Sequence, residues 1–85
     1  MKVILEFFGP VRDRMSDSPG TLTLDPVPHT FDALILMLED RLENGSVLRD
    51  PHLRFAINDE LVTADGKITL GDGDRIAILS PFSGG

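Results

Sequence analysis

Apolar and polar residues alternate from the start of the chain. Val3, Leu5 and Phe7 share one parity, and Ile4, Glu6 and Phe8 the other. A period of two over Lys2–Phe8 predicts a strand. Glu6 marks its own parity as the wetter one, because an unpaired buried carboxylate is costly, so Phe8 is expected to point outward. Residues 9–20 are rich in Pro, Ser, Asp and Gly and are predicted as a loop. Thr21-Leu22-Thr23-Leu24 alternates again and is expected to pair back on the first strand as a long-looped hairpin. Pro26 and Pro28 lack amide donors and end it.

The period then changes. Phe31, Leu34, Ile35, Leu38 and Leu42 recur at helical spacing and form one stripe, with Asp32, Glu39, Asp40 and Glu43 off it. Thr30 is placed to cap the first turn. Gly45 is expected to take a positive φ just past a helix that ends near Asn44. Met37 reads as core packing, and Leu36 lies opposite the stripe. Beyond the helix, residues 53–57 predict a short strand, Asn58-Asp59 a turn and residues 60–62 a return strand. Ala64-Asp65-Gly66 and Gly71-Asp72-Gly73 are further turns. Residues 75–80 form the last strand, with Ile76 and Ile78 on one face and Ala77 and Leu79 on the other. The order ββαβββ indicates an α+β domain with one helix packed across one face of a mixed sheet.

Length and charge narrow the chemistry. Eighty-five residues make one domain with a small core. No run approaches the roughly 20 apolar residues that span a bilayer, and the opening residues read as a strand and not as a signal peptide, so a cytoplasmic location is the expectation. There is no cysteine, which removes disulfides, thiolate metal sites and cysteine nucleophiles. A formal charge of −6 disfavours binding to phosphate backbones and suits a partner with a basic docking surface.

Few side chains carry a motif. Gly71-Asp72-Gly73-Asp74 lacks the spaced ligands and terminal Glu of a calcium loop and reads as a turn. His29 and His52 stand alone beside prolines, without a second ligand at metal spacing. Neither Gly9 nor Gly20 is part of a phosphate-binding loop. The informative segment is Ser80-Pro81-Phe82-Ser83-Gly84-Gly85. Two residues without Cβ make a thin, extendable end that can enter a narrow channel, and its chemistry is a terminal carboxylate, inert until its oxygen becomes a leaving group. Pro81 restricts the backbone where strand becomes tail. Residues 1–80 are thus expected as the domain and residues 81–85 as a flexible tail. Phe8, Leu61, Leu79 and Phe82 are expected to form one exposed apolar patch around that tail, and exposed patches of this kind mark interaction surfaces.

Phe7-Phe8-Gly9 with Arg12, Phe55-Ala56-Ile57-Asn58 with Glu60-Leu61-Val62, Leu70 with Asp72-Gly73-Asp74 and Ile76-Ala77-Ile78, and Pro81 with Ser83-Gly84-Gly85 together resemble the MoaD-like small subunit of molybdopterin synthase. That family lies within the MoaD/ThiS ubiquitin-like sulfur-carrier superfamily, and the resemblance runs the length of the chain. It implies a β-grasp fold and a non-catalytic carrier. Gly85, preceded by Gly84, would be adenylated by a MoeB-like activating enzyme using ATP and Mg²⁺, with no cofactor bound to the chain itself. A sulfurtransferase would supply the sulfur that turns the adenylate into a thiocarboxylate. Within a heterotetramer with a MoaE-like large subunit, two carriers in turn would deliver sulfur to cyclic pyranopterin monophosphate. Phe8, Leu61, Leu79, Pro81, Phe82 and Arg12 are the residues expected to meet partners. The chain departs from the family pattern at Phe82, where a smaller residue is common, and at Ser80, often Pro. A ubiquitin-like modifier joined to lysines through Gly85, or a carrier for thiamine, cysteine or tRNA thiolation, would use the same tail.

Overall fold

A computed structural model describes residues 1–15, 20–63 and 66–80. The first alternating run is strand β1 (Lys2–Phe8), with Val3, Leu5 and Phe7 buried. After Gly9 the chain makes a turn of helix, α1 (Val11–Arg14), where a loop was expected. The reason is visible in the core: Val11 and Met15 are both buried, and two apolar residues four apart in a polar run lie on one helical face. Strand β2 (Thr21–Thr23) returns antiparallel to β1, with Leu22 opposite Val3. Leu24 lies just beyond the strand and is buried.

Thr30 caps helix α2 (Phe31–Arg41) as expected, its Oγ1 accepting the Ala33 amide at 3.1 Å. Leu34, Ile35 and Leu38 face the core together with Leu42 just past the helix, and Met37 packs half-buried against them. Phe31 meets the Phe55 ring edge-on, 5.0 Å between centroids. Leu36 stays exposed. The helix stops earlier than its pattern suggested. Leu42 is already extended, and the left-handed residue is Asn44 (φ 58°), not Gly45. Gly45 is needed for another reason. It begins a 3₁₀ segment (Gly45–Arg49) beneath the helix, where a Cβ would fall 2.5 Å from Glu39 Cα. From that segment Leu48 enters the core, and the Arg49 guanidinium holds Glu39 at 2.7 Å.

Strand β3 (Arg54–Ile57), one residue shorter than read, joins β4 (Glu60–Val62) through Asn58 and Asp59. Both turn residues have positive φ, 51° and 71°, the conformation that matches the twist of a two-residue hairpin. Strand β5 (Arg75–Leu79) stops one residue short of Ser80. It runs parallel to β1 and antiparallel to β3, giving the order β2-β1-β5-β3-β4. The Gly71–Asp74 segment is a turn tied to the sheet: the Asp72 carboxylate accepts the Lys2 amide at 2.9 Å, and Asp74 accepts the Gly71 amide at 2.7 Å. Ala64 and Asp65, expected in a turn, and the tail from Pro81 onward lie outside the described residues. The predicted ββαβββ order stands, with α1 and the 3₁₀ segment added.

Candidate functional site

Parallel pairing of β1 with β5 puts their C-terminal ends side by side, with Phe8 opposite Leu79. Antiparallel pairing of β3 with β5 then sets Arg54 opposite Leu79 and Ala56 opposite Ala77, and β4 sets Leu61 opposite Ala56. All of these share the parity that faces away from α2. Phe8 is 46% exposed and Leu61 70% exposed. Ala56 is buried although it faces outward, because its methyl sits low between Ala77 and Leu61 in the register. Phe8, Leu61 and Leu79 line a shallow apolar cup of about 400 Å³, rimmed by Gly9, His52, Arg54 and Ser80.

At the end remote from the cup, Arg75 lies 2.8 Å from Asp59 and 3.8 Å from Glu6. At the cup end, Arg54 turns its guanidinium back to its neighbour's carbonyl, Leu53 O, at 3.3 Å. Asp50 is close by in sequence. Its carboxylate takes the Arg14 guanidinium at 2.7 Å and the His52 amide at 2.9 Å. The Arg14 bond first, and the His52 amide next, lower its pKa to about 2, because hydrogen bonds to the charged form favour that form. The pair also links α1 to the segment that leads into β3.

The cup adjoins the point where the chain leaves the sheet. Ser80 donates its amide to Phe8 O at 3.1 Å and accepts the Val11 amide on Oγ at 2.7 Å. Gly9, at φ +81°, lies against Ser80 so closely that a Cβ there would collide with the Ser80 carbonyl.

The structure therefore brings Phe8, Leu61 and Leu79 together. Arg12 is exposed on α1, in the turn that follows Gly9. Pro81, Phe82, Gly84 and Gly85 lie outside the described residues. Sequence reasoning missed Arg54, His52, Gly9 and Ser80 as parts of the cup. The Gly in Phe7-Phe8-Gly9 was a signal for a close approach, whereas nothing local announces that Arg54 stands beside Leu79. A second groove, lined by Phe31, Ile35, Leu48, Phe55 and Val62, lies on the helix side and includes no residue of the β1 or β5 ends. Among the described residues there is no buried polar side chain and no group of His, Asp or Glu arranged to hold a metal. No helix there is long and apolar enough to cross a membrane. What this face offers is a surface for an apolar side chain beside the exit of the C-terminal segment.

Comparisons with known proteins agree on one neighbourhood. The model of the ThiS family matches residues 5–85. The chain is 32% identical over 85 residues to a molybdopterin synthase sulfur carrier subunit of Chlamydomonas reinhardtii, covering all of both chains. Among solved structures, it resembles a chain in the protein–protein complex of subunits 1 and 2 of molybdopterin-converting factor from Helicobacter pylori 26695. That match has a TM-score of 0.62 at 26% identity and covers both chains fully. SAMP1 from Haloferax volcanii matches with a TM-score of 0.65 at 17% identity, again over both full chains, a likeness of fold alone. With these neighbours and the mixed five-stranded sheet, the fold is β-grasp, of the α+β class.

Proposed function

The chain belongs to the ThiS family, and from that premise we propose that it is the sulfur-carrier subunit of a molybdopterin synthase, working through the carboxylate of Gly85. The observation that carries this reading is the end-to-end likeness to a relative of that name, 32% identical over all 85 residues, in a chain whose last residues are Gly84-Gly85. In the proposed cycle a carboxylate oxygen of Gly85 attacks the α-phosphate of ATP in a MoeB-like enzyme, and pyrophosphate leaves. A sulfurtransferase persulfide then displaces AMP to give an acyl disulfide, and a second thiol attacks the sulfurtransferase sulfur of that bond, releasing the terminal thiocarboxylate and leaving a disulfide on the donor. In complex with a MoaE-like large subunit the sulfur passes to cyclic pyranopterin monophosphate. Water restores the carboxylate, and a second loaded carrier repeats the transfer. Mg²⁺ and ATP belong to the activating enzyme.

Each feature of the chain has a place in this cycle. Because the sequence has no cysteine, sulfur held by the chain has no thiol on which to rest. The cup of Phe8, Leu61 and Leu79 is the docking surface for the large subunit and the activating enzyme, and Arg12, exposed on α1, is a further partner contact. Burying such apolar residues against a partner contributes roughly 25 cal/mol for each Å² removed from water.

Intact mass of the protein from its native host tests the reading. A thiocarboxylate makes the chain about 16 Da heavier, the difference between sulfur and oxygen; oxidation of Met1, Met15 or Met37 adds nearly the same mass, so fragmentation must place the gain on the C-terminal peptide. A chain that never gains this mass, or that is recovered joined by its C-terminus to lysines of other proteins, overturns it.

A further inference from the structure

Val11 is the first residue of α1, and the amide of a first helical residue has no partner within its own helix. Pro10, in the capping position, supplies no side-chain acceptor. The acceptor comes instead from 69 residues away, where Ser80 Oγ takes the Val11 amide at 2.7 Å. The amide of Ser80 extends the β1–β5 ladder by one bond, to Phe8 O at 3.1 Å. Its carbonyl rests on Gly9, the one position in this turn where a missing Cβ leaves room for it. The amide, the side chain and the carbonyl of Ser80 thus all contact the same four-residue segment, 8–11. Two of these contacts are hydrogen bonds of good length, and the third is a close approach that only glycine allows.

We propose that Ser80 is a positioning residue: it latches the root of the C-terminal segment to the Gly9 turn and so sets the direction in which residue 81 leaves the sheet. The inference rests on the reading of Gly85 as the reacting end. A reaction at a terminal carboxylate needs that carboxylate delivered into another protein's site, and a root free to pivot would spread the end over a wider volume. Holding the root removes part of that search before binding, which is how pre-organisation raises the rate of an oriented encounter. The latch also accounts for where α1 starts, since it supplies the acceptor for the amide of the helix's first residue. The helix is short, and its capping acceptor comes from the strand end that it in turn holds.

Two variants separate positioning from simple structural support. Ser80→Ala keeps the amide bond and loses the acceptor, while Ser80→Thr keeps both. The absence of cysteine allows a single nitroxide to be placed at Ser83→Cys, so that paramagnetic broadening of the domain amides maps where the tail travels. The Ser80 chain and the Thr variant should show broadening concentrated on one side of the domain. The Ala variant should spread it more evenly. In ATP–pyrophosphate exchange with the activating enzyme, Ser80→Ala should lower kcat/KM roughly tenfold, and Ser80→Thr should stay within about twofold of the parent. The proposal is overturned if the Ala variant keeps the parent broadening pattern, if Thr is as slow as Ala, or if the Ala chain does not fold, since the bond then serves the domain and not the tail. If the parent chain supports no exchange, the sulfur-carrier reading fails, and the broadening experiment by itself still decides whether the latch directs the tail.

Discussion

The two faces of the sheet are built from the same strands and do opposite work. On the helix side, Val3, Leu5 and Phe7 of β1 and Ile76 and Ile78 of β5 are buried with Phe55, Ile57 and the α2 stripe. On the open side, Phe8, Leu61 and Leu79 are about as apolar, yet no element of the described chain covers them, and Phe8 and Leu61 remain substantially exposed. Single exposed apolar residues are ordinary. Three around one cup, at the point where the chain leaves the sheet, form an exposed patch of the kind that marks interaction surfaces. The comparison teaches that hydrophobicity alone does not identify the core of this protein. Parity against the helix does.

The comparison can be broken most directly on the buried side. Ile76→Ala should lower unfolding stability by about 2–4 kcal/mol, because the side chain is fully buried and its removal leaves a cavity. Urea denaturation measures this. The fraction that remains folded should still bind the large subunit with parent affinity. A loss of affinity in folded Ile76→Ala would mean that the two faces are not independent.

Phe8→Ala tests the reverse. Truncating a central interface aromatic costs on the order of 2 kcal/mol or more of binding, and calorimetric titration with the large subunit should show it. Because Phe8 is nearly half exposed, its loss should affect the melting curve less than the loss of Ile76. If Phe8→Ala instead melts early and binds normally, Phe8 belongs to the core.

Leu61→Ala should separate the two properties further. The side chain is 70% exposed, so stability should stay within about 0.5 kcal/mol of the parent, as for a surface change away from special features. Partner binding should weaken by a smaller amount than for Phe8→Ala. Equal binding by Leu61→Ala and the parent would shrink the docking surface to Phe8 and Leu79.

The smallest effect concerns Asp50, whose carboxylate joins Arg14 of α1 to the His52 amide at the rim of the cup. Its pKa is lowered from 3.8 to about 2 by Arg14 and the His52 amide. A depressed carboxylate pKa contributes stability that is present above 3.8 and is lost as pH falls toward about 2. Other carboxylates titrate in the same range, so the informative quantity is the difference between the parent and Asp50→Asn. The two melting temperatures should converge as pH falls through this window. Because the Arg14 side chain is about half exposed, the effect should be modest and reduced by salt. Melting temperatures that stay parallel through the window would remove the Arg14–Asp50 bond from the account of how α1 is held.

Much of this was written locally in the chain. The period of two in residues 2–8, the helical stripe from Phe31 to Leu38, the Thr30 cap and the Asn58-Asp59 turn each depend on near neighbours, and each is found where the pattern put it, although the helix ends before Leu42. Outward placement of Phe8 followed from Glu6 on the same parity, because side-chain direction in a strand alternates whatever the strand pairs with. What depended on distant residues could not be read in this way. Helix α1 takes its capping acceptor from Ser80, so its start is decided 69 residues downstream. Gly45 looked like a helix stop and is instead a point of close backbone approach to Glu39. Phe8, Leu79 and Arg54 became neighbours only through the β1–β5–β3 register, which is set by how whole strands pair. Periodicity is a property of consecutive residues and survives without a fold. Register, close approach and a cap supplied from the far end of the chain exist only once the sheet has closed.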